Sequence, residues 1–442
     1  MTGGSRQLPG LMAVFAVVLV PLLVAGFVAD QLSKPTVAES DGSPSGRHGE
    51  VSPEQVASLV PGIAGQVEEI RNLRFESLPE PRFISLDALT KKYRRAFSKE
   101  SVRSQLEVAE AGWKMLGIIG PNVDLSDLGG GLAGQIGGYY DRHDNRLYVI
   151  RRPANESLAS IKLVLAHELD HALEDQRFGL PKESEDPADQ GFAEDALVEG
   201  SAENVQHDYG RRFLTYREAV GYLRDLKAEE GTPAPAKLPP VLLADLAFPY
   251  DRGEEFVGSL RELSSDWDLV DIAFRSRPPL SSEQVMHPFK YLRYEKPLTV
   301  RIGAGDELGR SWRHLIGTDM GEFDTYLLLR PGVGKTEARR AAAGWGGDRL
   351  QFWRRGSGPC GAPCPSRDAL ISSWRWDTVR DRRQFDRALR RYIVDHLGAR
   401  RTGGRSWSLN GGSIAISDKP AQTTIAFAPT RRLALSLAAS GA

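Results

Sequence analysis

Within LVLAHELDHALEDQ, Leu163 to Gln176, stand His167, Glu168 and His171. On a helix, residues four apart share a face one turn apart, so the two imidazoles converge on one point. Both then reach a single zinc ion at about 2.0–2.1 Å, and Glu168 is placed to act as general base on a water molecule. Val164, Ala166, Leu169 and Ala172 are apolar or small, so the polar triplet interrupts an otherwise buried helix. The plain alternative is an incidental polar stripe. With eight histidines in 442 residues, an HExxH match by chance is rare.

A catalytic zinc needs a third protein ligand and an open position. The segment ALVEGSAENV supplies Glu199 on a second predicted helix, with Glu203 one turn later on the same face. Glu199 is the expected third ligand. Glu203 is expected to accept the other ring N–H of a ligand histidine and so orient it. Gly200 and Ala202 are small enough for the two helices to meet closely at the metal. Glu194 and Asp195 compete for the ligand role, and a solvent-facing acidic helix is the bland alternative.

HELDHALEDQ followed by EGSAE resembles the gluzincin clan of zinc metallopeptidases, which includes thermolysin-like peptidases and M1-type aminopeptidases. The resemblance implies an active-site helix paired with a glutamate-bearing helix, and peptide hydrolysis by zinc-activated water. It is strong over Leu163–Glu203 and thin elsewhere. PYDRGEEFV, PPLSSEQVMHPFKY and AAAGWGGDR resemble segments of uncharacterised bacterial exported or membrane-anchored gluzincins. The aminopeptidase GxMxN signature is missing, which leaves specificity for the amino end of a substrate without support.

Peptide hydrolysis builds negative charge on the scissile oxygen, and a donor beside the zinc stabilises it. His287, before Pro288 at a predicted helix end, is the first candidate, with a structural capping histidine as its alternative. Tyr139, Tyr140 and Tyr250 follow. Asp175 supports either the active helix or a ligand histidine. Leu147 to Arg151 is a predicted strand that would pair with an extended peptide. Trp345 and Asp348 read as a turn entering a strand. His143, His207, His314 and His396 have no identifiable partners.

The elements that must position these residues give an α+β chain: a zincin-like core, a mainly helical middle and a mixed C-terminal region. Ser52-Pro53-Glu54 caps a helix with apolar Val56, Val60, Ile63 and Val67. A short strand at 81–85 and two helices near 86–98 and 102–116 follow. A hairpin is predicted over 137–152, then helices from 157 to 178 and from 192 to about 207. PAPAKLPP, residues 233–240, marks a break, and 406–429 alternates like a β-hairpin before a closing helix.

Leu11 to Ala29 is uncharged over nineteen residues. As a helix it spans about 28 Å, close to a bilayer's hydrocarbon core. A retained anchor is expected, with a cleaved signal peptide as the rival. Residues 1–10 then form a short cytoplasmic tail, 30–52 a flexible linker, 53–295 the peptidase core and 296–442 a C-terminal subdomain. Lys+Arg total 57 against 58 Asp+Glu, so the chain lacks the basic excess that broad nucleic-acid binding requires. Cys360 and Cys364 would close a small disulfide loop in an oxidising compartment, with a zinc pair as the lesser alternative.

The expectation is a membrane-tethered, extracytoplasmic zinc peptidase whose partners are a peptide or protein substrate and, through its N-terminal helix, the membrane. His167, His171 and Glu199 bind Zn2+, and Glu168 and His287 act in catalysis. The competing class is a non-catalytic, zinc-stabilised binding or scaffolding module, favoured by the long chain beyond Tyr294 that a catalytic core does not explain.

Overall fold

The computed structural model describes residues 52–128, 136–142, 144–151, 157–180, 187–230, 239–264, 266–358 and 360–440. The expected tail, anchor and most of the linker (residues 1–51), and the turn residue His143, lie outside the described residues. Among the described residues, no helix is long and apolar enough to cross a membrane.

The architecture is α+β. Helix α1 (Pro53–Arg71) starts at a capping box in which Ser52 and Gln55 satisfy each other's backbone amides. Strand β1 (Glu80–Ser85) leads into α2 (Leu86–Phe97) and α3 (Glu100–Leu116). Strands β2 (Gly138–Asp141) and β3 (Arg146–Arg151) form the expected hairpin. β1 adds to β3 in parallel, giving the order β1-β3-β2. β3 is therefore the central strand, which corrects the expectation that Leu147–Arg151 offers a free edge. The free edge beside the active helix belongs to β2. Gly138 is packed so tightly there that an added Cβ would sit 3.0 Å from Val164 and 3.2 Å from Glu168.

Helix α4 (Leu158–Phe178) begins at Ser157, whose hydroxyl accepts the amide of Ser160, and ends at Gly179 as expected. Helix α5 (Ala188–Phe213) is longer at both ends than the apolar pattern suggested. The reason is burial of polar side chains beyond those bounds, Asp189 at the start and Asp208 at the end, which a polarity pattern assigns to solvent. Helices α6 (Tyr216–Glu230), α7 (Pro240–Ser264), α8 (Asp268–Arg275), α9 (Ser282–Met286) and α10 (Pro288–Arg293) complete the helical body.

The C-terminal region is built on an antiparallel seven-stranded sheet in the order β4-β5-β6-β10-β9-β8-β7. Its strands are β4 (Trp312–Thr318), β5 (Trp345–Arg355), β6 (Asp368–Trp376), β7 (Arg400–Gly403), β8 (Ser406–Leu409), β9 (Gly412–Lys419) and β10 (Gln422–Ala428). Helices α11 (Ala304–Leu308), α12 (Gly321–Val333), α13 (Lys335–Ala342), α14 (Val379–Arg391) and α15 (Arg431–Ser440) pack around it. Trp345 opens β5, and its indole N–H donates to Asp348, which also accepts the amides of Met320 and Gly321. Cys360 and Cys364 form a disulfide, which removes the zinc alternative for that pair. One continuous apolar cluster runs from Val56 of α1 through Leu165 of α4 to Phe352 and Phe427 of the sheet, so the helical body and the sheet share a core.

Gly200 lies against α7, not against α4. A Cβ there would fall 2.1 Å from the Gly253 carbonyl carbon, and one on Gly253 would fall 2.1 Å from the Ala196 oxygen. The α5 and α7 backbones are in direct contact, and neither can yield without the helix moving. Gly200→Ala is expected to cost about 3 kcal/mol, at the upper end for overpacking. Gly258→Ala is the control, because its Cβ would meet only Asn204 Oδ1 at 3.8 Å. Thermal unfolding of the two variants checks this; equal midpoints would show that the helices adjust.

Candidate metal centre

Helix α4 places His167 and His171 on one face, with ring centroids 4.7 Å apart and planes nearly perpendicular. Helix α5 brings Glu199 across from them. Its Oε2 lies 3.2 Å from His167 Nε2 and 3.5 Å from His171 Nε2. The three donor atoms lie within 4.8 Å of one another. Tetrahedral coordination at about 2.0–2.1 Å places ligand atoms roughly 3.3 Å apart. The two measured separations bracket that edge length, and two imidazoles with a carboxylate form a donor set that could hold a metal ion.

Electrostatics support the same fit. Burial opposes charge on both imidazoles, yet Glu199 outweighs it, so His167 is raised and His171 goes up to about 10. Burial alone would raise Glu199, but His171 and then His167 hold it down at about 2. The three donors therefore attract positive charge, whether a proton or a metal ion. Nδ1 of both histidines, on the other side of the ring from Glu199, is buried without a hydrogen-bond partner among the described residues.

Glu203, expected to accept the second ring N–H of a ligand histidine, lies beside His167 but makes no hydrogen bond to it. Its Oε1 approaches His167 Nδ1 to 3.7 Å, an ion-pair distance longer than a hydrogen bond. Burial first, with Glu254 and Glu199 adding to it, pushes its carboxyl up to about 7 against the opposing pull of His167 and His207. Glu168 is 5% exposed and accepts the backbone N–H of Tyr140, which ties it to the β2 edge. Burial raises its carboxyl above the usual range, with Glu199 adding to the shift and the two histidines opposing it.

Tyr250 of α7 also belongs to the cluster. Its hydroxyl is hydrogen-bonded to Glu199, its ring stacks 6.4 Å from that of His167, and burial with the surrounding carboxylates holds the phenol protonated. The other tyrosines are turned elsewhere. Tyr139 stacks on Tyr148, and the Tyr140 hydroxyl donates to Asp175. Asp175 thus braces the end of α4, where it also accepts the amide of Leu180.

His287 is held by a carboxylate of the C-terminal region. Its Nε2 lies 3.1 Å from both carboxylate oxygens of Glu322 on α12, and its other ring contact is Phe289. Glu194 accepts a hydrogen bond from Gln190, and neither it nor Asp195 joins the cluster. Three histidines read as unpartnered do have partners: His207 pairs with Glu254 at 2.7 Å, His396 meets the Gly117 carbonyl, and His314 packs edge-on to Trp353. Glu283, Glu295 and Asp377 also converge, but the Lys290 ammonium already sits 2.7–2.8 Å from all three.

Two positions escaped the sequence reading. Arg71 ends α1 and is buried against Asp170 and Glu174, which flank the histidine face of α4. Gly253 sets the α5–α7 contact beneath Glu199. Asp170 inside HELDH, one turn before Glu174 on a buried helix, was a sequence signal that a buried cation must lie beside the helix.

If Glu203 orients His167, Glu203→Gln should keep zinc but bind it about 10–100-fold more weakly, and Glu199→Gln should lose far more. Competition with a chelator reads both affinities. Equal losses would show that ligand and supporter are assigned the wrong way round.

Residues 314–436 match the family model of a domain of unknown function, DUF8575. That segment runs from β4 into α15 and contains none of the residues of the metal cluster. No curated protein and no solved structure matches the chain.

Proposed function

We propose that the chain is a zinc-dependent peptidase with a zincin-like core. The observation that carries the reading is the His167–His171–Glu199 donor triangle with Glu168 beside it. Zinc in such a ligand set polarises a carbonyl and makes water acidic enough to attack near neutral pH. The Glu168 carboxylate takes the proton of the attacking water and returns it to the leaving amine, and burial raises its basicity toward that task. Tyr250, held protonated beside Glu199, is the donor proposed for the developing oxyanion, with His287 as the other candidate. Glu203 keeps the His167 ring in register, and the β2 edge offers backbone groups to an extended peptide.

The site is proposed to work outside the cytoplasm, tethered by Leu11–Ala29. The Cys360–Cys364 disulfide supports an oxidising compartment. A second reading, a zinc-stabilised binding module without hydrolysis, draws support from burial: His167, Glu168, His171 and Glu199 are each at most 8% exposed. Metal analysis of the full chain, followed by cleavage profiling on a peptide library, separates the two. One zinc per chain with cleavage abolished by a chelator supports the peptidase. Zinc without any cleavage supports the module, and protein that takes up no zinc overturns both.

A further inference from the structure

A cavity of ≈ 630 Å³ lies between the helical body and the C-terminal sheet. One wall is α3 with the start of α7; the other is β4, α12 and the adjoining parts of β5 and β6. Its surface is mainly apolar, with Val108, Trp113, Leu327 and Phe352 prominent. That size and lining fall in the range of small-molecule sites, about 300–1,000 Å³. None of His167, Glu168, His171, Glu199, Glu203 or Tyr250 lines it.

The charged groups on the lining are one-sided. Asp245, Asp319 and Asp324 face it together with His314, and among the described residues no Lys or Arg does. Asp319 already accepts the amide of Asp189. Asp245 and Asp324 are in hydrogen-bonding contact with each other, which two ionised carboxylates cannot sustain without a proton or a cation between them. Oδ1 of Asp245 is shielded from water and, among the described residues, accepts from no N–H or alcohol O–H donor, leaving only the Asp324 carboxyl beside it. Pro249, four residues on inside α7, also removes the amide that would bond the Asp245 carbonyl. Acceptors are therefore in surplus at one end of an apolar chamber.

We propose that this cavity binds a lipophilic organic cation, a primary ammonium carried on an apolar chain or ring. The ammonium has three donors and no acceptor, which complements the paired carboxylates of Asp245 and Asp324. The apolar body lies along Val108, Trp113, Leu327 and Phe352. A neutral amphiphile would leave the carboxylates uncompensated, and an anionic one would add to their repulsion.

Calorimetric titration of the full chain with n-butylamine through n-octylamine tests this, with n-hexanol and hexanoate as neutral and anionic matches. Affinity is expected to rise about fourfold per methylene, the usual scale for apolar burial. Hexylamine should bind at least about tenfold more tightly than hexanol, as a charge-assisted hydrogen bond predicts, and hexanoate should not bind. Asp245→Asn combined with Asp324→Asn should bring hexylamine to the level of hexanol, and Val108→Trp, which fills the chamber, should remove both. Equal affinities for amine and alcohol would overturn the cation assignment, and no binding by any amine would overturn the site. Zinc content and peptide cleavage should be unchanged in the double Asn variant, so failure here and failure of the peptidase reading are separate results.

Discussion

Glu168→Gln is expected to lower peptide hydrolysis by about 10²–10⁴-fold, the usual contribution of a positioned general base. The amide keeps the size of the carboxyl group and can still accept the Tyr140 N–H, so the β2 contact survives. What disappears is the ability to take a proton from water and hand it to the leaving nitrogen. Zinc affinity should change little, because Glu168 is not among the three convergent donors. The loss should therefore fall on kcat, with KM nearly unchanged. Zinc stoichiometry and steady-state kinetics on one preparation check both halves. A variant that keeps wild-type kcat with bound zinc would remove Glu168 from the chemistry and leave the binding-module reading in front.

How much of this centre was legible in the sequence follows from how local each relation is. His167, Glu168 and His171 are fixed relative to one another by a single helix, so spacing alone placed them. Glu199 and Glu203 needed a second helix and the assumption that it crosses the first, which short-range patterning supports. The Cys360–Cys364 disulfide was legible for the same local reason. Tyr250 was visible as a candidate but not separable from Tyr139 and Tyr140, because only the packing of α7 on α5 selects it. The partner of His287 was not legible either: the Glu322 carboxylate that holds it comes from α12, beyond any local pattern.

The sheet was less legible than the helices. Alternation identified the strands near the C-terminus, but not that β10 inserts between β6 and β9 or that β4 forms an outer edge. Such an order is set by pairings far apart in the chain, which period-two patterning does not encode. The same limit misassigned β3 as an edge. Its partner β1 precedes it by more than sixty residues, through two helices and a parallel addition. Gly200 was read as a close-packing residue, which it is, but the facing backbone belongs to α7.

Arg71→Met is expected to destabilise the fold by about 3–5 kcal/mol, the cost of leaving a buried charge without its partner. The guanidinium is about 1% exposed and joins three carboxylates: Asp170 at 3.1 Å, Glu174 at 3.2 Å and Asp271 at 3.4 Å. It also lies 4.0 Å from the Trp267 ring centroid. Burial, followed by repulsion from Asp170, already pushes the Glu174 carboxyl well above the usual carboxylate range even with Arg71 opposing it. Without the arginine, Asp170 retains only the Ser201 hydroxyl as a hydrogen-bond partner, and Glu174 loses its cation. Methionine fills the volume of the arginine stem, so the loss reports on charge more than on a cavity. Adding Glu174→Met should recover much of the stability, since an apolar pair of similar volume replaces a broken ion pair at little cost. Asp170 sits between His167 and His171 on α4, so the single variant should also weaken zinc binding as the helix loses its anchor. Chemical denaturation of wild type, both single variants and the double variant forms the cycle that isolates this coupling. A coupling energy below about 1 kcal/mol would show that Arg71 fills space beside the metal helix without holding its charges in place.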